Sequence, residues 1–276
     1  PAVETWPNLV SNNEWSLTRE YARFNPLSPR FLVQVARLGR MLKAGQGMDV
    51  ASFMSGARAS LRLVTIPRAF QYAGETFTDG YMFVGPGLTD RSFQGAWAPP
   101  KEVPVVLMSL GTAYNDRPDL YRLVLASAAG RPWHVVMAIG KIDPGTLGPI
   151  PPNVEVHAHV PQLEVLRHAG AFVTHAGMGS IMESLHARVP LIALPQMAEQ
   201  RANADRLVEL GLGTSLDPEH VTADVLWDAI AQAESDAHVR DQLDWMAREI
   251  KAAGGASAAA DAVERLLGRN SLDPPV

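Results

Sequence analysis

An α/β fold is expected from this sequence, a parallel sheet with helices on both faces. Three observations predict it. From about residue 103 onward, short apolar strand-like runs alternate with helix-length segments, which is the pattern of a sheet wrapped by crossover helices. The strand-like runs are continuously apolar instead of alternating, as strands buried on both faces are. A glycine-bearing loop also stands between one such strand and the helix after it, where these sheets hold their ligands.

The elements follow in order. The first stretch, to about Asn25, is polar, rich in Trp, Asn and Arg, and has no clear period. Leu27, Phe31, Val35, Leu38 and Leu42 then recur at helical spacing and make one apolar stripe. Ser28 suits its N-cap, Pro29 its first turn and Gly45 its end. Leu61 to Ile66 reads as a strand stopped by Pro67. Tyr81 to Val84 reads as a strand running into a linker rich in Gly, Pro and Ser that reaches Pro99-Pro100.

Beyond the linker, Val103–Leu110 is a buried strand and Pro118–Ala129 a helix. Trp133–Ile139 and Val154–His157 are strands, and Pro161–His168 is a helix. Ala171–Thr174 is a strand, Gly179–Ala187 a helix, Pro190–Leu194 a strand and Glu199–Leu210 a helix. Helices starting at Thr222, His238 and Gly255 close the chain. The expected division is residues 1–84 as the remnant of a preceding domain, 85–102 as linker and 103–276 as one Rossmann-like domain. Because the chain opens on Pro1 without a methionine, it reads as a processed start or as the C-terminal part of a longer protein.

Composition narrows the function. An apolar fraction of 47% supports a sizeable core. A net charge of -5 lacks the basic face of a nucleic-acid binder, and it does not suit an anionic membrane surface. No apolar run approaches the ~20 residues of a bilayer span. Cysteine is absent, which removes disulfides, thiolate metal sites and cysteine nucleophiles and fits a cytoplasmic location.

The chemistry concentrates at three strand ends. His175-Ala176-Gly177-Met178-Gly179-Ser180 follows one strand and opens a helix. Gly177 and Gly179 let backbone approach a ligand, and the helix start offers N–H groups and a partial positive charge. His175 adds a donor that can become cationic, and Ser180 adds a hydroxyl. Together these suit a pyrophosphate. Glu183, one turn on, can accept two ribose hydroxyls. Ser109-Leu110-Gly111-Thr112 ends the first strand of the sheet, and Pro195 to Gln200 places Glu199 and Gln200 where sugar hydroxyls need partners. Each residue also has a plainer role: His175 as a strand-end cap, Glu183 as a solvated helix residue, Glu199 and Gln200 as ordinary helix starters, Thr112 as a turn residue. His157 and His159, two apart, could share a strand face and a metal, but no cysteine or carboxylate cluster joins them.

The run from Val160 to Gln200 resembles the donor-binding signature of nucleotide-sugar-dependent glycosyltransferases built from two facing Rossmann domains. The matching pieces are Val160-Pro161-Gln162, Phe172 to Ser180, Glu183 and Pro195-Gln196-Met197-Ala198-Glu199-Gln200. Phe83 to Pro86, Ser109 to Thr112, Trp133 to Val136 and Pro152 to His157 are similar to the bacterial macrolide glycosyltransferases in particular. The resemblance implies the C-terminal half of a GT-B fold. It implies inverting transfer of a hexose, glucose, from a UDP-sugar to a macrolide or other small hydrophobic acceptor, with no bound cofactor or metal.

Residue by residue, the resemblance gives the donor phosphates to His175, Gly177, Gly179, Ser180 and Thr112. It gives the ribose to Glu183, the base to His159, Val160 and Gln162 (Gln162 through its backbone), and the sugar to Glu199 and Gln200. Two features depart from it. The family commonly has Trp, stacked on the base, where this chain has His159. The family's catalytic histidine lies in an N-terminal half with no counterpart in this chain. The resemblance therefore implies a missing N-terminal half as partner, and a chain that binds the sugar donor yet transfers poorly alone. Two other functions fit the same residues: a donor-binding subunit that needs a separate acceptor-binding polypeptide, and a nucleotide-sugar epimerase.

Overall fold

The computed structural model describes residues 2–17, 19–20, 36, 40, 59–88, 92–100, 102–112 and 116–268. The helix expected over Leu27–Leu42 falls almost wholly outside them. The chain divides into two compact units, one of residues 1–87 with 253–276 and one of residues 88–252. No helix among the described residues is long and apolar enough to cross a membrane.

The first unit holds a three-stranded parallel sheet of β1 (Val3–Trp6), β2 (Leu61–Val64) and β3 (Tyr81–Phe83), in that order. β1 carries no apolar run. It exists because its backbone pairs with β2 in register, Val3 with Leu61 through Trp6 with Val64, while its side chains stay exposed or half-buried. Gln71, fully buried, accepts from the Val10 N–H at 2.8 Å and donates back to the Val10 carbonyl at 2.9 Å. That satisfies two backbone groups that burial would otherwise orphan.

The last helix, Gly255–Leu266, belongs with this sheet: Ala262 packs with Leu63 and Val84 in one apolar cluster. The Gly255 N–H donates to the Val84 carbonyl at 2.6 Å. From sequence the second domain is expected to run to residue 276, whereas the structure groups this helix with the first unit.

The second unit contains a six-stranded, all-parallel sheet. Its strands are β4 (Val105–Ser109), β5 (His134–Ala138), β6 (Val154–His157), β7 (Ala169–Thr174), β8 (Leu191–Ala193) and β9 (Gly213–Ser215). They lie in the order β6-β5-β4-β7-β8-β9, the Rossmann arrangement. Every residue of β4 is buried, as the continuous apolar run requires of a central strand. Around the sheet run α1 (Pro118–Ser127), α2 (Gln162–Leu166), α3 (Met178–Ala187), α4 (Ala198–Glu209), α5 (Ala223–Ser235) and α6 (Ala237–Ala252). The Gly255–Leu266 helix of the first unit is α7.

Two indoles anchor one face. Trp133 and Trp227 stack at 5.5 Å between centroids. The Trp133 indole N–H donates to Glu234 at 2.7 Å, and that of Trp227 to the Ser127 hydroxyl at 2.9 Å. Large apolar area is thus buried without an unpaired donor. β9 was not expected from sequence, since Gly-Thr-Ser has no strand signature. It forms because Gly213 lets its backbone close on β8: a Cβ there would run into the Leu191 carbonyl.

Candidate functional site

The chain leaves β4, visits β5 and β6 on one side, then returns to β7 on the other. Strand order therefore reverses between β4 and β7, and the loops at their ends part to leave a crevice. Ser109 and Thr174 are register partners at the last rung. The loops Leu110-Gly111-Thr112 and His175-Ala176-Gly177 accordingly start side by side.

His175 lies between them in a slot made by two glycines. A Cβ on Gly111 would sit 2.6 Å from both Cε1 and Nε2 of the imidazole, and one on Gly177 would press on the same two atoms. Gly111 also has φ +84°, a conformation that a side chain disfavours. The ring is mostly buried. Desolvation pushes its pKa down to about 4, opposed only in part by a bond to the Ser109 backbone carbonyl. The cationic role open to His175 in the sequence is thus not its resting state. At neutral pH it is an uncharged imidazole.

This has a consequence for stability. The folded pKa lies below the unfolded value of 6.5, so the contribution of a neutral His175 is complete above pH 6.5. It is lost as the pH falls toward 4, because the unfolded chain takes up the proton first. The slope is about 1.4 kcal/mol per pH unit. Unfolding midpoints recorded from pH 7 to 4.5 should therefore fall more steeply for the unaltered protein than for His175→Ala. By pH 4.5 the difference should have grown by about 2 kcal/mol, and parallel curves would show that the ring is not held neutral by the fold.

α3 starts directly below. Gly177, its N-cap, has extended backbone (φ -66°, ψ 138°), and no side chain caps the helix. The first intrahelical bond is Ile181 N–H to the Gly177 carbonyl, which leaves the N–H groups of Met178, Gly179 and Ser180 at an open helix start. A Cβ on exposed Gly179 would meet nothing within 4 Å, so open space lies beside this first turn. Among the described residues no three His, Cys, Asp or Glu side chains gather as a metal would need.

The remaining expected residues group as follows. The Gln162 amide donates to the buried Glu183 carboxylate at 2.7 Å and approaches the Ser180 hydroxyl at 3.5 Å. Gln162, expected to act through its backbone, thus also orients the carboxylate expected to hold a ribose. Gln200 is buried, and its side-chain oxygen accepts from the Gln196 N–H at 2.8 Å. That oxygen is spent on shaping the Pro195–Gln200 loop. Burial raises the pKa of Glu199, while a bond from the Asn203 side chain lowers it. Thr112 and His159 are exposed and Val160 is half-buried. His157 pairs with Glu155 at 2.9 Å, and the same carboxylate also engages His134 at 2.8 Å.

One residue at the site belongs to no motif legible in the sequence. Asn203, almost fully buried, donates to the Ala176 carbonyl at 3.1 Å. Its signal was a polar side chain on the face of α4 that otherwise buries Ala202, Ala204 and Leu207.

A histidine in a glycine slot and an open helix start stand together where strand order reverses, the place at which open α/β sheets hold their ligands. Residues 93–247 match the family model described as UDP-glucoronosyl and UDP-glucosyl transferase, and the chain belongs to that family. It is 47% identical over 213 residues to the NDP-glycosyltransferase YjiC of Bacillus licheniformis, a match covering 76% of this chain and 54% of that protein. Over 274 residues it is 39% identical to the demethyllactenocin mycarosyltransferase of Streptomyces fradiae, covering 97% of this chain and 59% of that one. Among solved structures, CalG4, the calicheamicin glycosyltransferase, superimposes with a TM-score of 0.79 at 36% identity, covering 99% of this chain and 71% of that one. The fold is that of GT-B glycosyltransferases. The chain spans between half and two thirds of the length of the two curated relatives.

Proposed function

We propose that these residues form the sugar-donor site of a glycosyltransferase. It moves glucose from UDP-glucose to a hydroxyl of a macrolide or similar small hydrophobic acceptor, with inversion, without a bound metal, and in the cytoplasm. The observation that carries this reading is the His175 slot beside the open start of α3. In the transfer, the acceptor oxygen attacks the anomeric carbon as the bond from that carbon to the diphosphate oxygen breaks. The acceptor proton passes to a base outside this site, on a part of the protein beyond this chain, and UDP leaves with the electron pair. The charge that grows on its terminal phosphate is met by the N–H groups of Met178, Gly179 and Ser180 and by His175. Glu183, steered by Gln162, takes the ribose, and Glu199 and Gln200 take the sugar. Likeness to a mycarosyltransferase supports a macrolide acceptor. The family model supports a UDP-sugar.

The test is the product. The protein that carries this chain, given UDP-glucose and a macrolide, should release UDP and form a β-glucoside, read from the anomeric proton coupling. An α-glucoside would refute inversion. Turnover of UDP-glucose without acceptor would favour an epimerase instead.

A further inference from the structure

Asn203 joins two parts of the site that are far apart in sequence. It lies on α4, one turn after Glu199, and is almost fully buried. Its amide donates to the Ala176 carbonyl at 3.1 Å. Its own oxygen has no hydrogen-bond partner. The side chain therefore works as a donor and not as an acceptor. An apolar residue of similar size would fill the same space without burying an unpaired carbonyl, so filling space does not account for an asparagine here.

The carbonyl it holds belongs to a strained residue. Ala176 is fully buried and has φ +63°, the left-handed region that a residue with a Cβ occupies only when its surroundings insist. The peptide unit is planar and trans, so its C=O and N–H point in opposite directions. Pinning the Ala176 carbonyl toward α4 thus aims the Gly177 N–H away from α4, on the loop that carries His175 and leads into α3.

We infer that Asn203 is a positioning residue, a buried hydrogen-bond donor that sets the phosphate loop through the Ala176 carbonyl. The inference rests on the donor-site reading above. Asn203 touches no substrate in this account and acts only through that carbonyl.

The experiment titrates UDP and UDP-glucose into this chain by calorimetry, for the unaltered protein, Asn203→Ala, Asn203→Asp, and Asn203→Ala combined with Ala176→Gly. Asn203→Ala should weaken both ligands about tenfold, as loss of one buried hydrogen-bonding node does. Asn203→Asp should be worse than alanine, because it sets an acceptor against the Ala176 carbonyl; a side chain needed only for its volume would show the reverse order. Ala176→Gly in the alanine variant should restore UDP to within about threefold of the unaltered protein, since glycine takes the left-handed conformation unaided. UDP-glucose should recover alongside UDP, because the loop is the part that Asn203 sets. Wild-type affinities in Asn203→Ala, or a loss that glycine does not restore, would overturn the inference. If the unaltered chain binds no UDP, the donor-site reading itself fails. Amide hydrogen exchange of ligand-free residues 175–180 then decides the strut alone: faster exchange in Asn203→Ala supports it, and unchanged exchange overturns it.

Discussion

Gly111→Ala should weaken UDP binding at least tenfold and destabilise the protein by about 2 kcal/mol or more. Two costs combine. The new Cβ would lie 2.6 Å from two atoms of the His175 ring, so the ring or the loop must move. The residue would also be held at φ +84°. Gly130→Ala separates them, since Gly130 has φ +76° and nothing within 4 Å of an added Cβ. That variant should show the conformational cost alone, about 1 kcal/mol, with UDP affinity intact. A double-mutant cycle isolates the collision. In a His175→Ala background, Gly111→Ala should cost no further UDP affinity, because the ring it would displace is gone. Equal losses in both backgrounds would mean that Gly111 meets the ligand directly and does not act through the histidine.

His175→Ala is the second large effect. A hydrogen bond to a charged group contributes about 1.5–3 kcal/mol, so UDP should bind roughly ten to a hundred times more weakly. The same variant loses the stability penalty that the buried ring carries in acid. It should therefore be the weaker binder at pH 7 and relatively the more acid-tolerant fold at pH 4.5. These two changes have opposite signs, which general damage to the structure would not produce. A variant that binds UDP normally would remove His175 from the phosphate site.

Much of this was open to reading in the sequence because it depends on local pattern. Continuous apolar runs such as Val105–Ser109 announce buried parallel strands. The loop from His175 to Ser180 announces a tight turn into an open helix start, because glycines stand directly before a helix. What was hidden depends on partners distant in the chain. β1 and β9 have no strand signature of their own and exist through pairing with β2 and β8. The alanine-rich face of α7 fits either sheet equally well by composition, and only the tertiary fold puts it against Leu63. The neutral state of His175 comes from burial in a slot that Gly111 closes from another strand end. Asn203 gains meaning only once Ala176 is seen to be left-handed. The bond from Gln162 to Glu183 likewise needs α2 and α3 brought together.

The central claim is that these residues bind a nucleotide diphosphate through a helix start and a buried histidine, with no metal needed. Calorimetric titration of UDP into this chain, with and without EDTA, tests it most directly. Saturable binding with one affinity in both buffers is the predicted result. Binding abolished by EDTA, or no binding in either buffer, would contradict it.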